Sequence, residues 1–330
     1  MFSIGIIALQ NSIHSTVTGP YDIFSIAASQ SIEPGRGEEH FCSVDIVTPD
    51  ESPVFAFNGL SILGTTTLKE KKDYDLILSP AIIGDYEPVL KNKQIIDWLK
   101  SQHGRGACLC SICASAFLVA HTGLLHGRKA TTHWALAEKF ICEFPEVHLK
   151  PEKMLVDDGD IISAGGVTAY LDLCIYILKR FGSPALASSV SKALLIDSSR
   201  QTQTPYSSYT FLKNHGDAQI LIAQEYIEER FRCLLTISDV AKMTGLEERT
   251  FNRRFKKSTG DTPTEYIQGL RIEAARKLLE TSKESVECIT QEVGYEDTSS
   301  FRRLFKKHTG ISPSEYRKRF SQYYSPEKSI

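Results

Sequence analysis

Residues 250–266, TFNRRFKKSTGDTPTEY, and residues 300–316, SFRRLFKKHTGISPSEY, align without a gap at an offset of 50, with ten of 17 positions identical. The identities are Phe251/Phe301, Arg253/Arg303, Phe255/Phe305, Lys256/Lys306, Lys257/Lys307, Thr259/Thr309, Gly260/Gly310, Pro263/Pro313, Glu265/Glu315 and Tyr266/Tyr316. A self-match of this density marks a duplicated supersecondary unit. In the first copy Ile237, Val240 and Ala241 are spaced for a short amphipathic helix, Gly245 supplies a turn, and a second helix runs from about Glu247 to Lys257. Phe251 and Phe255, at i and i+4, share the buried side of that helix. In the second copy Val286, Ile289 and Val293 precede Gly294, and Phe301 and Phe305 take the matching face. Helix, glycine turn, helix is the helix-turn-helix plan.

With the phenylalanines inward, the outer faces carry the side chains that reach base edges and phosphates. The candidate DNA contacts are Arg249, Thr250, Asn252, Arg253, Lys256 and Lys257 in the first copy, and Thr298, Ser299, Arg302, Arg303, Lys306 and Lys307 in the second. Arg249 to Lys257 holds five basic residues and no acidic one; Phe301 to His308 holds four and none. An isolated basic run is usually a solvated face. Its repetition on equivalent helices points instead to double-stranded DNA as the partner. Between the copies, Thr264–Glu280 reads as one helix entered through Pro263, about 25 Å long at ~1.5 Å per residue. That length suits two recognition helices set against major-groove faces ~34 Å apart, so one chain is expected to contact two adjacent grooves.

The chain has 330 residues, more than one core usually serves, with 42% hydrophobic and 24% charged residues, as in a globular protein of about two domains. The net charge of −2 conceals a division: residues 217–330 hold 20 Lys/Arg and 18 Asp/Glu (net +2), leaving 18 and 22 (net −4) for residues 1–216. The N-terminal MFSIGIIALQ has no basic segment and no cleavage-like site, and no apolar run approaches the ~18 residues of a membrane helix. The expected setting is therefore cytoplasmic and reducing, with the eight cysteines unpaired.

The first half has a different grammar. Ser3–Leu9, Ser43–Thr48, Asp75–Ser79, Ala107–Ile112 and Ile161–Ala164 read as buried strands; Tyr21–Ser31, Asn92–His103, Ala114–His121, His133–Phe144, Tyr170–Phe181 and Ser183–Ile196 read as helices. Alternation of this kind predicts an α/β domain with a mostly parallel sheet covered on both faces. Ser198–Gly216, poor in periodic apolar residues, reads as a connection. The expected organisation is a domain over 1–197, a linker over 198–216, an all-α domain over 217–320 and a tail over 321–330.

Cys108-x-Cys110-x-x-Cys113 lacks the second cluster a structural zinc site needs, so neither a metal nor any other cofactor is expected. The motif instead closes the strand ACLCSI, and Cys113 falls at a strand-to-helix turn of nucleophile-elbow type. A helix N-terminus or a nearby imidazole lowers a thiol's pKa, and His133, 20 residues on in ATTHW, is the candidate imidazole. Cys108, Cys110, Cys142 and Cys174 read as small buried apolar residues, and Asp172 as a structural residue within a helix.

Two resemblances follow. GLEERTFNRRFKKSTGDTPTEYIQGLRIEAARKLLE and GYEDTSSFRRLFKKHTGISPSEYRKRF closely resemble the DNA-binding domain of the AraC family of transcriptional regulators, over roughly residues 217–320. CSICASAFLVAHTGLLHGRKATTHWALAEKF and IISAGGVTAYLDLCIYIL resemble the DJ-1/PfpI group of the class I glutamine-amidotransferase-like superfamily, over about residues 1–195, which implies a flavodoxin-like fold. The combined order is that of the GlxA-type regulators, several of which are associated with amino-acid or quaternary-ammonium catabolism. The resemblance implies a homodimeric regulator, more often an activator acting on RNA polymerase, with a small-molecule effector. Family enzymes present an acidic residue near the end of the first strand, whereas residues 1–21 contain no Asp or Glu; PfpI-like members carry a histidine beside the nucleophile, where this chain has Ala114. A thiol without a proton partner is a poor nucleophile. Cys113 and His133 are thus read as vestigial, with no catalytic residue assigned, and Thr18, Gly19, Pro20, Cys113, Ala114, Ser115 and His133 as a ligand site at the carboxyl ends of the strands. A cysteine-dependent hydrolase or amidase, or a thiol redox sensor, fused to the DNA-binding domain is the alternative.

Overall fold

The aliphatic runs of the first half become neighbouring strands with almost no exposed side chain, as parallel strands between two helical layers must be. The computed structural model describes residues 1–30, 41–197, 200–209 and 211–323. The chain divides into two units, Met1–Gln203 and Thr204–Ile330.

In the first unit the order is β1 (Phe2–Ile7), α1 (Ser15–Gln30), β2 (Cys42–Thr48), β3 (Val54–Phe55), β4 (Ser61–Ile62), β5 (Thr66–Thr67), β6 (Leu76–Ser79), α2 (Glu87–Leu90), α3 (Lys93–Gly104), β7 (Cys108–Ile112) and α4 (Ser115–His121). It continues with β8 (Lys129–Ala130), a 3-10 turn (Trp134–Leu136), α5 (Ala137–Glu143), β9 (His148–Leu149), β10 (Leu155–Asp157), β11 (Ile161–Ala164), α6 (Ala169–Ile177) and α7 (Pro184–Ala193). Seven strands form the sheet in the order β10-β11-β7-β6-β1-β2-β5, parallel except for the edge strand β10. The five principal strands follow the flavodoxin-like order, whose switch point lies between β1 and β6. One core, under α1, α6 and α7, is built on Ile4, Ile6, Leu78, Cys110 and Ile162; the other, under α3, α4 and α5, on Ile7, Ile77, Leu109, Phe117 and Phe140.

Several details differ from the sequence expectation. The first helix starts at Ser15, not Tyr21, so Thr18, Gly19 and Pro20 lie inside it; Ser31, the expected end, is outside the described residues. Gly-Pro suggested a turn, but the helix runs on through Pro20, its sixth residue, which gives up one backbone hydrogen bond inside it. Gly19 is there for approach: a Cβ would stand 2.6 Å from the Tyr170 ring of α6. The helix expected over Tyr170–Phe181 passes at Leu178 into a wider π turn. Cys142 is exposed rather than buried, unlike Cys108, Cys110 and Cys174.

The polar stretch read as a connection is packed on one unit or the other. Arg200 pairs with the buried Asp172 of α6 and reaches Thr168 Oγ1 (3.0 Å) and its carbonyl (2.9 Å). Gln203 is 2% exposed within the first unit. In the second unit the Tyr209 amide donates to Glu273 (3.2 Å) and its hydroxyl to Asp261 (2.5 Å). The side chains of Thr202, Gln203 and Ser207 bond backbone carbonyls, which no hydrophobic period reports. Ser198, Ser199, Thr210 and residues 324–330 of the expected tail lie outside the described residues.

The second unit comprises α8 (Ala218–Arg230), α9 (Ile237–Met243), α10 (Glu248–Thr259), α11 (Pro263–Thr281), α12 (Val286–Glu292), α13 (Thr298–Thr309) and α14 (Pro313–Phe320). The repeated identities have repeated jobs. Phe251, Phe255 and Tyr266 are buried in one core, Phe301, Phe305 and Tyr316 in the next. Gly260 (φ 84°) and Gly310 (φ 77°) close the recognition helices in the left-handed conformation. Thr262 with Glu265, and Ser312 with Glu315, form capping boxes around Pro263 and Pro313. Tyr266 donates to Glu228 of α8 and Tyr316 to Glu280 of α11, both at 2.7 Å, so α11 serves the second copy as α8 serves the first.

Candidate functional site

On α10, Arg249, Arg253, Lys256 and Lys257 are exposed while Thr250 and Asn252 are half-buried. On α13, Ser299, Arg302, Arg303, Lys306 and Lys307 are exposed and Thr298 is half-buried. Not every cation of the two runs is equally available. Arg254 is clamped by Asp217 (2.7 and 3.0 Å) and Gln219 (2.6 Å), which ties α10 to α8 and commits this cation of the first run to the fold. Arg302 pairs with Glu287 of α12 at 2.7 Å. Arg253 and Arg303 occupy equivalent positions; Arg303 donates to Ser300 Oγ of its own helix (3.1 Å), and its charge also acts on Asp297. Asp297 caps α13: the Ser300 hydroxyl and amide and the Ser299 amide donate to its carboxylate and, with the Arg303 charge, hold it below the usual range.

In the first unit Cys113 sits between β7 and α4 with φ 57°, a left-handed backbone that a residue with a Cβ adopts only when its surroundings force it. The forcing contacts are visible. Its amide donates to the Ala164 carbonyl of β11 (2.9 Å) and its carbonyl accepts from Thr132 Oγ1 (2.8 Å). Around it the sheet-edge loops converge: Ser115 Oγ donates to the Pro80 carbonyl, the Ala81 amide donates to Thr16 Oγ1 (3.0 Å), and the Ile13 amide to the Ala81 carbonyl (2.7 Å). Ala114 and Ser115 are buried, and Ser115's hydroxyl is already engaged. Thr18 Oγ1 bonds to the carbonyl of His14, just before α1, Gly19 lies against Tyr170 of α6 and Pro20 is buried, whereas Thr16 of this helix meets the loop at Ala81. Thr132, inside ATTHW but not singled out there, and Gln203 escaped the sequence analysis because they act through hydrogen bonds to backbone distant in the chain, which no local pattern reports.

The electrostatics do not make a thiolate. Burial pushes the Cys113 thiol up to about 11, outweighing the Ala114 amide that would lower it. Burial lowers the His133 pKa, and its Nδ1 accepts from the Ala135 amide (3.1 Å), capping the 3-10 turn. Cys113 and His133 share no hydrogen bond among the described residues. A thiol two pH units above an ordinary one carries about a hundredfold less thiolate at neutral pH. Iodoacetamide at neutral pH therefore labels the exposed Cys142, Cys233 and Cys288 first and Cys113 at least about a hundredfold more slowly. A mass-spectrometric time course checks this, and equal labelling of Cys113 and Cys288 would restore the nucleophile. Among the described residues no group of three or more His, Cys, Asp or Glu is placed to hold a metal ion, and no helix is long and apolar enough to cross a membrane.

The family model described as "DJ-1/PfpI family" matches residues 15–180, half of the chain. The chain belongs to the DJ-1/PfpI family. To this DJ-1/PfpI domain is joined an AraC-type helix-turn-helix region, matched by the model "Helix-turn-helix domain" over residues 240–319. The chain is 28% identical over 257 residues to the HTH-type transcriptional regulator CdhR of Pseudomonas aeruginosa, covering 77% of this chain and 75% of that one. It is 30% identical over 160 residues to an isonitrile hydratase of Pseudomonas putida, covering 48% of this chain and 63% of the enzyme. The crystal structure of an AraC family transcriptional regulator from Pseudomonas putida shares the fold, with a TM-score of 0.51 at 17% identity over 59% of this chain and all of that chain. A DJ-1/PfpI domain followed by an AraC-type domain is thus the organisation of a DNA-binding regulator.

Proposed function

We propose that this DJ-1/PfpI-family chain is a cytoplasmic, homodimeric transcriptional activator. In this reading α10 and α13 enter successive major-groove faces, and the elbow domain binds a small amino-acid-like or quaternary-ammonium effector without turning it over. The observation that carries DNA recognition is the equivalent placement of Arg253/Arg303, Lys256/Lys306 and Lys257/Lys307 on the exposed faces of two repeated helices. The 19 residues of α11, about 28 Å long, fit the spacing of adjacent grooves. What supports the effector reading is an elbow that keeps its strained backbone while its thiol stays protonated and its histidine serves as a cap. A protonated thiol and a neutral imidazole contribute polarity and shape rather than attack. Ligand control then acts through unequal affinity for two arrangements of the protein.

A thermal-shift screen of the full chain against amino acids and betaines tests the effector. A ligand at about 100 times its Kd stabilises the domain that binds it by about 2.7 kcal/mol, a rise of several degrees in its melting transition. Cys113→Ala is expected to weaken that shift while leaving basal DNA binding unchanged. If the wild type hydrolysed amide or isonitrile substrates and Cys113→Ala abolished the turnover, the enzyme reading would replace this one.

A further inference from the structure

Gln203 is the last residue of the first unit, yet its amide is buried like a core residue. Its Nε2 lies 2.8 Å from the Thr132 carbonyl, 3.0 Å from those of Pro151 and Lys153 and 3.3 Å from Thr131 Oγ1, while its Oε1 accepts the Trp134 amide at 3.3 Å. Space is reserved for it: a Cβ on Gly165 would overlap the Gln203 side chain. Thr132 in turn donates to the Cys113 carbonyl, so a single side chain separates the elbow backbone from the residue to which Gln203 is bonded. The next residue along the chain, Thr204, begins the second unit, and there its carbonyl and that of Ser207 accept from Arg276 of α11. Tyr209 follows, its ring so close to α11 that only glycine fits at 269.

We infer that Gln203 is a positioning residue that links the elbow wall, Thr131–Trp134, to the chain segment anchored on α11. One peptide bond joins the last anchor on the first unit to the first anchor on the second. A buried amide stripped of its partners is costly, so Gln203 and the wall have two states, engaged together or released together. Release frees the chain at Thr204 and with it the carbonyls that hold Arg276, on the helix that spaces the two recognition helices. Binding linkage is reciprocal: whatever alters the α11 end must alter the elbow wall. The physiological trigger rests on the reading of the elbow as an effector site; the link itself is testable without any effector.

The test is hydrogen–deuterium exchange on the full chain, alone and saturated with a duplex selected from a random pool by the wild type. In the wild type the duplex should change exchange in the 131–134 peptide by about threefold or more. In Gln203→Met, which keeps the volume and removes the amide, that peptide should exchange about tenfold faster in the free protein and no longer respond to the duplex, with duplex affinity within about threefold. Gly165→Ala, which displaces Gln203 while keeping its amide, should reproduce the effect and serves if Gln203→Met does not fold. No duplex-induced change at 131–134 in the wild type, or a change retained in both variants, overturns the link. An effector screen without a hit leaves this readout intact, so failure of the effector reading and failure of the link are told apart.

Discussion

Replacing Arg253 and Arg303 together by alanine should reduce duplex affinity by two to four orders of magnitude. Each arginine is exposed on the outer face of a recognition helix, at the position where the two copies superimpose in sequence. A guanidinium that reads a base edge is worth about 1–3 kcal/mol, and contacts in separate grooves add nearly independently. The single variants should therefore each cost about 1–3 kcal/mol and relax sequence preference in one half of the site only. Arg254→Ala makes the comparison sharp. Arg254 is as basic as its neighbours but is clamped by Asp217, so its loss should lower the stability of the first helix-turn-helix unit without changing which bases are preferred. Gel shifts at fixed salt against the selected duplex and base-substituted versions decide the matter. Equal affinity for wild type and the double variant would remove both arginines from the interface.

Arg200→Ala should lower the melting transition of the DJ-1/PfpI domain by roughly 10 °C at neutral pH, because removing one partner of a buried ion pair costs about 3 kcal/mol. Asp172 is buried; one carboxylate oxygen has no hydrogen-bond partner among the described residues, and the other is held by Arg200. Burial already raises its pKa against the pull of Arg200. A carboxyl whose folded pKa is raised keeps its proton better folded than unfolded, so stability falls as pH rises from its ordinary value through the folded one. Without Arg200 that window widens upward. The deficit of Arg200→Ala should accordingly shrink as the pH is lowered from neutral toward about 5, which calorimetry across that range measures. A deficit independent of pH would mean that Arg200 contributes only its bonds to Thr168.

Different parts of the molecule were legible to different degrees, for identifiable reasons. The helix-turn-helix copies were readable because local chemistry sets them: paired phenylalanines at i and i+4, a glycine turn and proline at the first position of the following helix, while the left-handed glycine caps and the capping boxes came into view with the structure. The parallel strands were readable because burial on both faces leaves a continuous aliphatic run. The elbow was readable as a turn, since the strand ACLCSI runs directly into a helix. The start of α1 was not, because Gly19-Pro20 reads as a break unless Tyr170 of α6 is known to press on Gly19. Nor was the fate of residues 200–209, where Thr202, Gln203 and Ser207 look solvated in sequence and bond backbone carbonyls in the structure.

The sequence by itself determined two domains of different class, the duplicated recognition helices and the position of the strained turn at Cys113. Each depends on the chain within a few residues, through periodicity, capping and backbone stereochemistry. Only the tertiary structure decided that Arg254 is a brace while Arg253 is exposed, that Cys113 is a buried thiol sharing no hydrogen bond with His133 among the described residues, and that Gln203 is buried in the first unit with Arg200 half-buried against Asp172. Those outcomes depend on desolvation and on partners far away in the chain, Asp217 for Arg254, Thr132 for Cys113 and Asp172 for Arg200. A charge, a thiol or an amide has no fixed role until the fold sets its dielectric surroundings and its hydrogen-bond partners.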